Sequence, residues 1–146
     1  MIEKEITDFI SGNQVATICC CVDDVPYCFN CLYTVFEKDG YITFKSSSNT
    51  KHGDILMLNN KIAGTILPDS FNAAAIRGIQ FEGIAMQEEE DSLAPAASAY
   101  YAKYPIAMAM PGKIWVIELQ AIKFTDNSKG FGYKRAWVKH EVAITL

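Results

Sequence analysis

The 146-residue chain has no apolar run approaching the length of a membrane span, and its first residues, Met1 to Ile10, mix acids among apolar positions where a signal peptide would be uniformly hydrophobic. A cytoplasmic protein without a membrane partner is expected. It lacks a basic excess: the net charge is −4 and the pI about 5.1, so no positive field invites nucleic acid. It lacks the glycine-rich loops of nucleoside triphosphatases and of dinucleotide folds. It has only two histidines, His52 and His140, far apart in sequence. Its five cysteines are an odd number, three of them consecutive, which is poor material for a disulfide framework; reduced thiols are expected.

What is present suits one globular domain over residues 1–146, half of it hydrophobic and large enough to bury its own core. Ile2, Ile6, Phe9 and Ile10 mark a short amphipathic helix ended by Ser11-Gly12. Val15 to Val22 reads as a strand and Asp23 to Pro26 as a turn. Tyr27 to Phe36 is a second strand, and Lys38-Asp39-Gly40 a hairpin signal leading to a third from Tyr41 to Lys45. A helix from about Thr50 to Asn59, with Asn49 or Thr50 as N-cap, precedes a fourth strand at Lys61 to Leu67. Ala74 to Gln87 reads as a fifth strand, its Gly78 and Gly83 marking a bulge or a close backbone approach. The acidic run Glu88 to Asp91 suits the start of a helix over Ser92 to Tyr104. Met108 and Met110 lie in an irregular connector, Lys113 to Phe124 is the longest strand, and Tyr133 to Val138 a short last one. The pattern is mainly β: about six strands, mostly hairpin-linked, with a few peripheral helices argue for a small barrel with added helices.

Chemistry concentrates between the third strand and the helix after it. Lys45, Ser46, Ser47, Ser48, Asn49, Thr50, Lys51 and His52 form a polar cradle at a helix start. Unpaired N–H groups, the helix dipole, hydroxyl donors and the Lys51 charge are the parts that hold a phosphate monoester. The plainer alternative is a capped turn with solvated Lys51 and His52. Cys28-Phe29-Asn30-Cys31 spells C-x-x-C, but in a strand its cysteines point to opposite faces and no second pair stands at metal spacing. No metal is therefore expected, and Cys19 to Cys21 read as small apolar fillers. Arg77 and Gln80 sit at opposite parities of one strand, so at most one faces a given ligand. No side chain stands out as a general acid or base, and the catalytic residues stay unassigned.

Three segments together resemble the FMN-binding split barrels of the pyridoxamine 5′-phosphate oxidase-like superfamily, and within it a small bacterial branch. They are Tyr41 to Leu58, Ala75-Ile-Arg-Gly-Ile-Gln-Phe-Glu-Gly83, and Ile122-Lys-Phe-Thr-Asp-Asn-Ser-Lys-Gly-Phe-Gly-Tyr-Lys134. The resemblance implies a six-stranded antiparallel split barrel of Greek-key type that dimerises, with one FMN in each of two clefts at the homodimer interface. Ser46 stands at the family's threonine, and Thr50-Lys51-His52-Gly53 at its phosphate-gripping Ser-Arg-Lys-Gly. Asn30 and Gln80 become candidates near the ribityl chain or ring, and Asn127 and Lys134 candidates supplied by the partner chain. The family's flavin-contacting glutamine is Gly78 here, and the oxidases' C-terminal Arg-Leu-His-Asp-Arg motif is missing, which argues against a vitamin B6 phosphate substrate. The implied activity is that of an FMN-dependent oxidoreductase of a small molecule, with a nicotinamide or a reductase as electron donor. A non-catalytic flavin or haem carrier on the same fold is the alternative, and an interaction domain that has lost its cofactor a third reading.

Overall fold

The computed structural model describes residues 1–35, 40–47, 49–87 and 94–139. Phe36, Lys38-Asp39, Ser48, the acidic run Glu88 to Asp91, Ser92 and His140 lie outside the described residues. Helix α1 (Lys4–Ser11) leads into β1 (Val15–Val22), β2 (Val25–Val35) and β3 (Tyr41–Ser46). Helix α2 (Lys51–Leu58), β4 (Lys61–Ile66) and β5 (Arg77–Gln87) follow. Helix α3 (Ala94–Lys103), a 3₁₀ turn over Pro105–Ala109, β6 (Lys113–Asp126), a second 3₁₀ turn over Asn127–Lys129 and β7 (Lys134–Val138) complete the chain.

Among the described residues seven strands form one antiparallel sheet in the order β3-β2-β1-β4-β5-β6-β7, and pairing of β3 with β6 closes it on itself. That is one more than the expected six, and β7, foreseen at Tyr133 to Val138, lies along the far half of β6. Most boundaries agree with the sequence patterns to within two residues. The fifth strand starts three residues later than its apolar pattern, at Arg77, because Asn72 accepts from Ala74 N–H (3.0 Å) and folds that stretch into a turn. The turn before β2 is tighter than expected. Asp23 and Asp24 alone make it, both with positive φ (52° and 62°), and Pro26 sits inside the strand.

Strand β6 carries the architecture. Along its first half it pairs with β3 and β5 together, and Trp115, Ile117 and Leu119 point into the barrel core. Ile114 and Val116 point the other way into a second cluster with Tyr100 of α3 and Tyr104 just after it. A bulge opposite Glu82 and Gly83 then shifts the register by one residue. Beyond it the inward set becomes Ile122, Phe124 and Asp126, so parity flips and the outer face opens to solvent. The glycine at 83 answers the expectation of a bulge. A Cβ there would lie 2.7 Å from Ile117 Cγ2 and 3.0 Å from the Glu118 carbonyl oxygen.

Gly83→Ala should therefore destabilise the fold by about 1–3 kcal/mol through overpacking. Urea unfolding should show a lower midpoint at unchanged slope. An unchanged midpoint would mean that the bulge can relax around a methyl group.

Candidate functional site

The polar cradle forms because β3 ends against the start of α2. Thr50 is extended (φ −103°, ψ 150°) and caps the helix: its Oγ1 accepts from Gly53 N–H at 3.2 Å and donates to the Ser47 carbonyl at 3.1 Å. One helical turn brings His52 back over the strand, where Nε2 meets Ser46 Oγ at 2.5 Å. The imidazole also stacks on Phe29 of β2, ring centroids 3.8 Å apart and planes 9° from parallel. If the Ser46 hydroxyl donates to Nε2, the ring proton sits on Nδ1 and remains available as a donor. Burial pushes the His52 pKa below its ordinary value. With its proton affinity lowered in this way, the ring is neutral near pH 7.

Lys45 closes the other side. Its Nζ donates to the carbonyls of Ala107 (2.8 Å) and Met110 (2.7 Å) and lies 4.9 Å from the Tyr101 ring centre. This clamps the connector after α3 onto the end of β3. Gly112 (φ +141°) lets the same connector pass so close that a Cβ would meet the Ser46 carbonyl at 2.6 Å. The result is a cavity of about 260 Å³ between β2, β3, α3 and the connector. Asn30, Lys45, Ser46, Ser47 and His52 line it, together with Phe29, Cys31, Tyr100, Tyr104, Ile106 and Met110.

Of the expected site residues, the fold thus gathers five around one cavity. Thr50 serves as the cap behind it. Lys51 is exposed at the helix start, its Nζ 4.7 Å from the Tyr27 ring centre. Gln80, Asn127 and Lys134 do not line this cavity within one chain. Gln80 stands on the outer sheet face, in one row with Thr65, Thr17 and Asn30. That row separates Gln80 from Asn30 by three strand spacings, about 14 Å. Within it Thr17 Oγ1 donates to Asn30 Oδ1 at 2.7 Å. Asn127 Oδ1 accepts from Gly132 N–H (3.0 Å) in the turn before β7, and Lys134 is exposed on β7. The aromatic lining escaped sequence reasoning. The alternation of β2 could have pointed to Phe29, and the i, i+4 spacing of Tyr100 and Tyr104 to a shared face, but neither signals a ligand.

No family model matches the chain. Among curated relatives, a UPF0306 protein of Photorhabdus laumondii is 34 % identical over 131 residues, covering 88 % of this chain and 90 % of its own. A UPF0306 protein of Serratia proteamaculans is 31 % identical over 137 residues, covering 94 % and 95 %. Among solved structures, a haem-binding protein of Mycobacterium smegmatis superposes with a TM-score of 0.78 at 18 % identity. That match covers 94 % of this chain, which spans 60 % of that protein's length. A FAD-binding protein of Mycobacterium smegmatis gives 0.67 at 16 % identity, covering 86 % of this chain and 96 % of its own. A suggested pyridoxamine 5′-phosphate oxidase of Listeria innocua gives 0.64 at 14 %, covering 82 % and 94 %. At these identities the structural likeness establishes the split-barrel fold. Among the described residues no helix is long and apolar enough to cross a membrane, and no cluster of three or more His, Cys, Asp or Glu could hold a metal ion.

The His52 environment sets a pH dependence. The unfolded chain binds a proton at this ring more readily than the folded one, so stability rises with pH through the window. The contribution is complete above the ordinary pKa of 6.5 and is lost as pH falls below it toward the depressed folded value. His52→Gln should lower the melting temperature but flatten its fall on acidification. An equally steep fall in the variant would place the titration elsewhere.

Proposed function

The chain belongs to the UPF0306 family, and from that premise we propose that it binds FMN and acts as an oxidoreductase on a small-molecule substrate. The observation that carries this reading is the pairing of a helix N-terminus with the Ser46–His52 contact at the mouth of a cavity with aromatic walls. The donor set fits a phosphate monoester. The first-turn N–H groups of Lys51 and His52 precede any intrahelical acceptor. His52 can donate from a neutral ring or become charged beside an anion, Ser46 and Ser47 contribute hydroxyls, and Lys51 brings a full charge. Phe29, Tyr100 and Met110 would face the flavin ring and exclude water from one side. Bound FMN would supply the hydride or electron chemistry, and the chain would bind, orient and shield it. Lys45 would act by holding the connector wall in place.

A homodimer of Greek-key split barrels belongs to the same proposal. The cavity of about 260 Å³ is smaller than the roughly 300–1,000 Å³ of most ligand sites. A cleft completed by a second copy resolves the shortfall. It would also give Gln80, Asn127 and Lys134, which stand apart from the cavity in one chain, a route to the ligand. The electron donor would be a nicotinamide or a reductase, and the setting the cytoplasm. A second reading, favoured by the likeness to the haem-binding protein, is a carrier that holds a flavin or haem without turning it over. Steady-state oxidation of a nicotinamide donor separates the two.

Lys51→Ala tests the phosphate cradle. A charge-assisted hydrogen bond is worth roughly 1.5–3 kcal/mol, so FMN affinity should fall by about one to two decades. Riboflavin, which lacks the phosphate, should bind both proteins alike by calorimetry. Equal losses for the two ligands would remove the phosphate from the Ser46–Gly53 turn.

A further inference from the structure

Away from the cavity, the sulfurs of Cys19 and Cys28 face each other across the β1–β2 hairpin, with Sγ atoms 3.0 Å apart. The hairpin register makes this contact. Val22 and Val25 flank the two-residue turn, so they form a hydrogen-bonded pair, and the pairs alternate outward from there. Tyr33 N–H donating to the Gln14 carbonyl (2.9 Å) confirms that alternation at the far end. Cys19 and Cys28 are thus directly opposed at a non-hydrogen-bonded position, where Cα atoms stand about 4.5 Å apart and side chains converge. That spacing lies within the range a disulfide bridges, without backbone movement.

We propose that Cys19 and Cys28 form a reversible dithiol–disulfide centre that exchanges with a low-molecular-weight disulfide of the glutathione class. Access comes from the sheet. Among the described residues β3 pairs with β2 only at Tyr33 to Val35, which leaves β2 an edge at Cys28, and the Cys28 side chain is exposed. On the far side Cys19 is flanked by the small Ala63 of β4. Of the three other thiols, Cys20 is buried with Sγ donating to the Tyr27 carbonyl (3.4 Å), Cys31 points inward to the cavity wall, and the half-buried Cys21 stands opposite Pro26 rather than another cysteine.

The chemistry balances over two exchanges. Cys28 loses its proton to water and its thiolate attacks one sulfur of the incoming disulfide. A Cys28 mixed disulfide forms, and the first small thiolate leaves and is protonated. Cys19 then loses its proton and attacks the Cys28 sulfur, forming the Cys19–Cys28 bond and expelling the second small thiolate, which is protonated in turn. Two electrons pass from the protein thiols to the small disulfide, which is reduced to two thiols. The order follows from the surroundings. The hydrogen bond with Cys28 and partial burial push the Cys19 thiol up to about 11, so it stays protonated while Cys28 is a thiol. Capping Cys28 removes that hydrogen bond and releases Cys19 for the second attack.

The test is intact-mass spectrometry of the reduced full-length protein after incubation with oxidised glutathione, followed by peptide mapping. The native chain should lose two hydrogens, retain no glutathione, and yield a Cys19–Cys28 cross-linked peptide. Cys19→Ser should instead keep one glutathione on Cys28, and Cys28→Ser should show neither change. Should either variant fail to fold, alkylating Cys28 of the native protein must abolish the two-hydrogen loss. A stable glutathione adduct on the native chain, an intermolecular disulfide, no reaction, or a two-hydrogen loss that survives in Cys28→Ser would each overturn the proposal.

Discussion

Everything in this fold hangs on β6 being buried on both faces for half its length. Trp115, Ile117 and Leu119 fill the barrel, while Ile114 and Val116 fix α3 and its aromatic residues on the outside. This second packing, with the Lys45 hydrogen bonds to the Ala107 and Met110 carbonyls, brings Tyr100, Tyr104 and the connector over the end of β3. The one-residue bulge at Gly83 then ends the double burial and turns the outer face of the sheet over to solvent. Apolar burial at about 25 cal/mol per Å² makes such a two-faced strand hard to displace.

On that base the candidate site is assembled from parts with separate duties. Thr50 and Lys45 are structural: one satisfies the helix start, the other ties the connector carbonyls to β3. Ser46, Ser47 and His52 face the cavity with hydrogen-bonding capacity toward a ligand. Stacking on Phe29 and the contact to Ser46 orient the His52 ring, and partial burial keeps it neutral. Such a ring can answer an arriving phosphate by taking up a proton, which couples ligand charge to histidine charge.

Much of this was legible in the sequence, for identifiable reasons. The strands announce themselves by β-branched and aromatic runs, the α2 cap by Thr50, and the bulge by a glycine that a methyl group could not replace. Cys28 and Cys31 face opposite ways, as residues three apart in a strand must. Other features depend on three-dimensional register. That Cys28 meets Cys19 follows from the Asp23-Asp24 turn being two residues long, whereas the sequence read the turn through Pro26. That Asn30 and Gln80 share a row yet stand far apart follows from the strand order β2-β1-β4-β5, which no local pattern encodes. The role of Lys45 as a clamp depends on a connector some sixty residues downstream.

The central claim is that the cavity beside His52 is a flavin site, and titrating the purified protein with FMN while following flavin fluorescence tests it most directly. The account predicts saturable binding at one FMN per chain, abolished when Ser46 and His52 are replaced together. A protein whose signal does not saturate, or one that binds FMN equally well without Ser46 and His52, would contradict it.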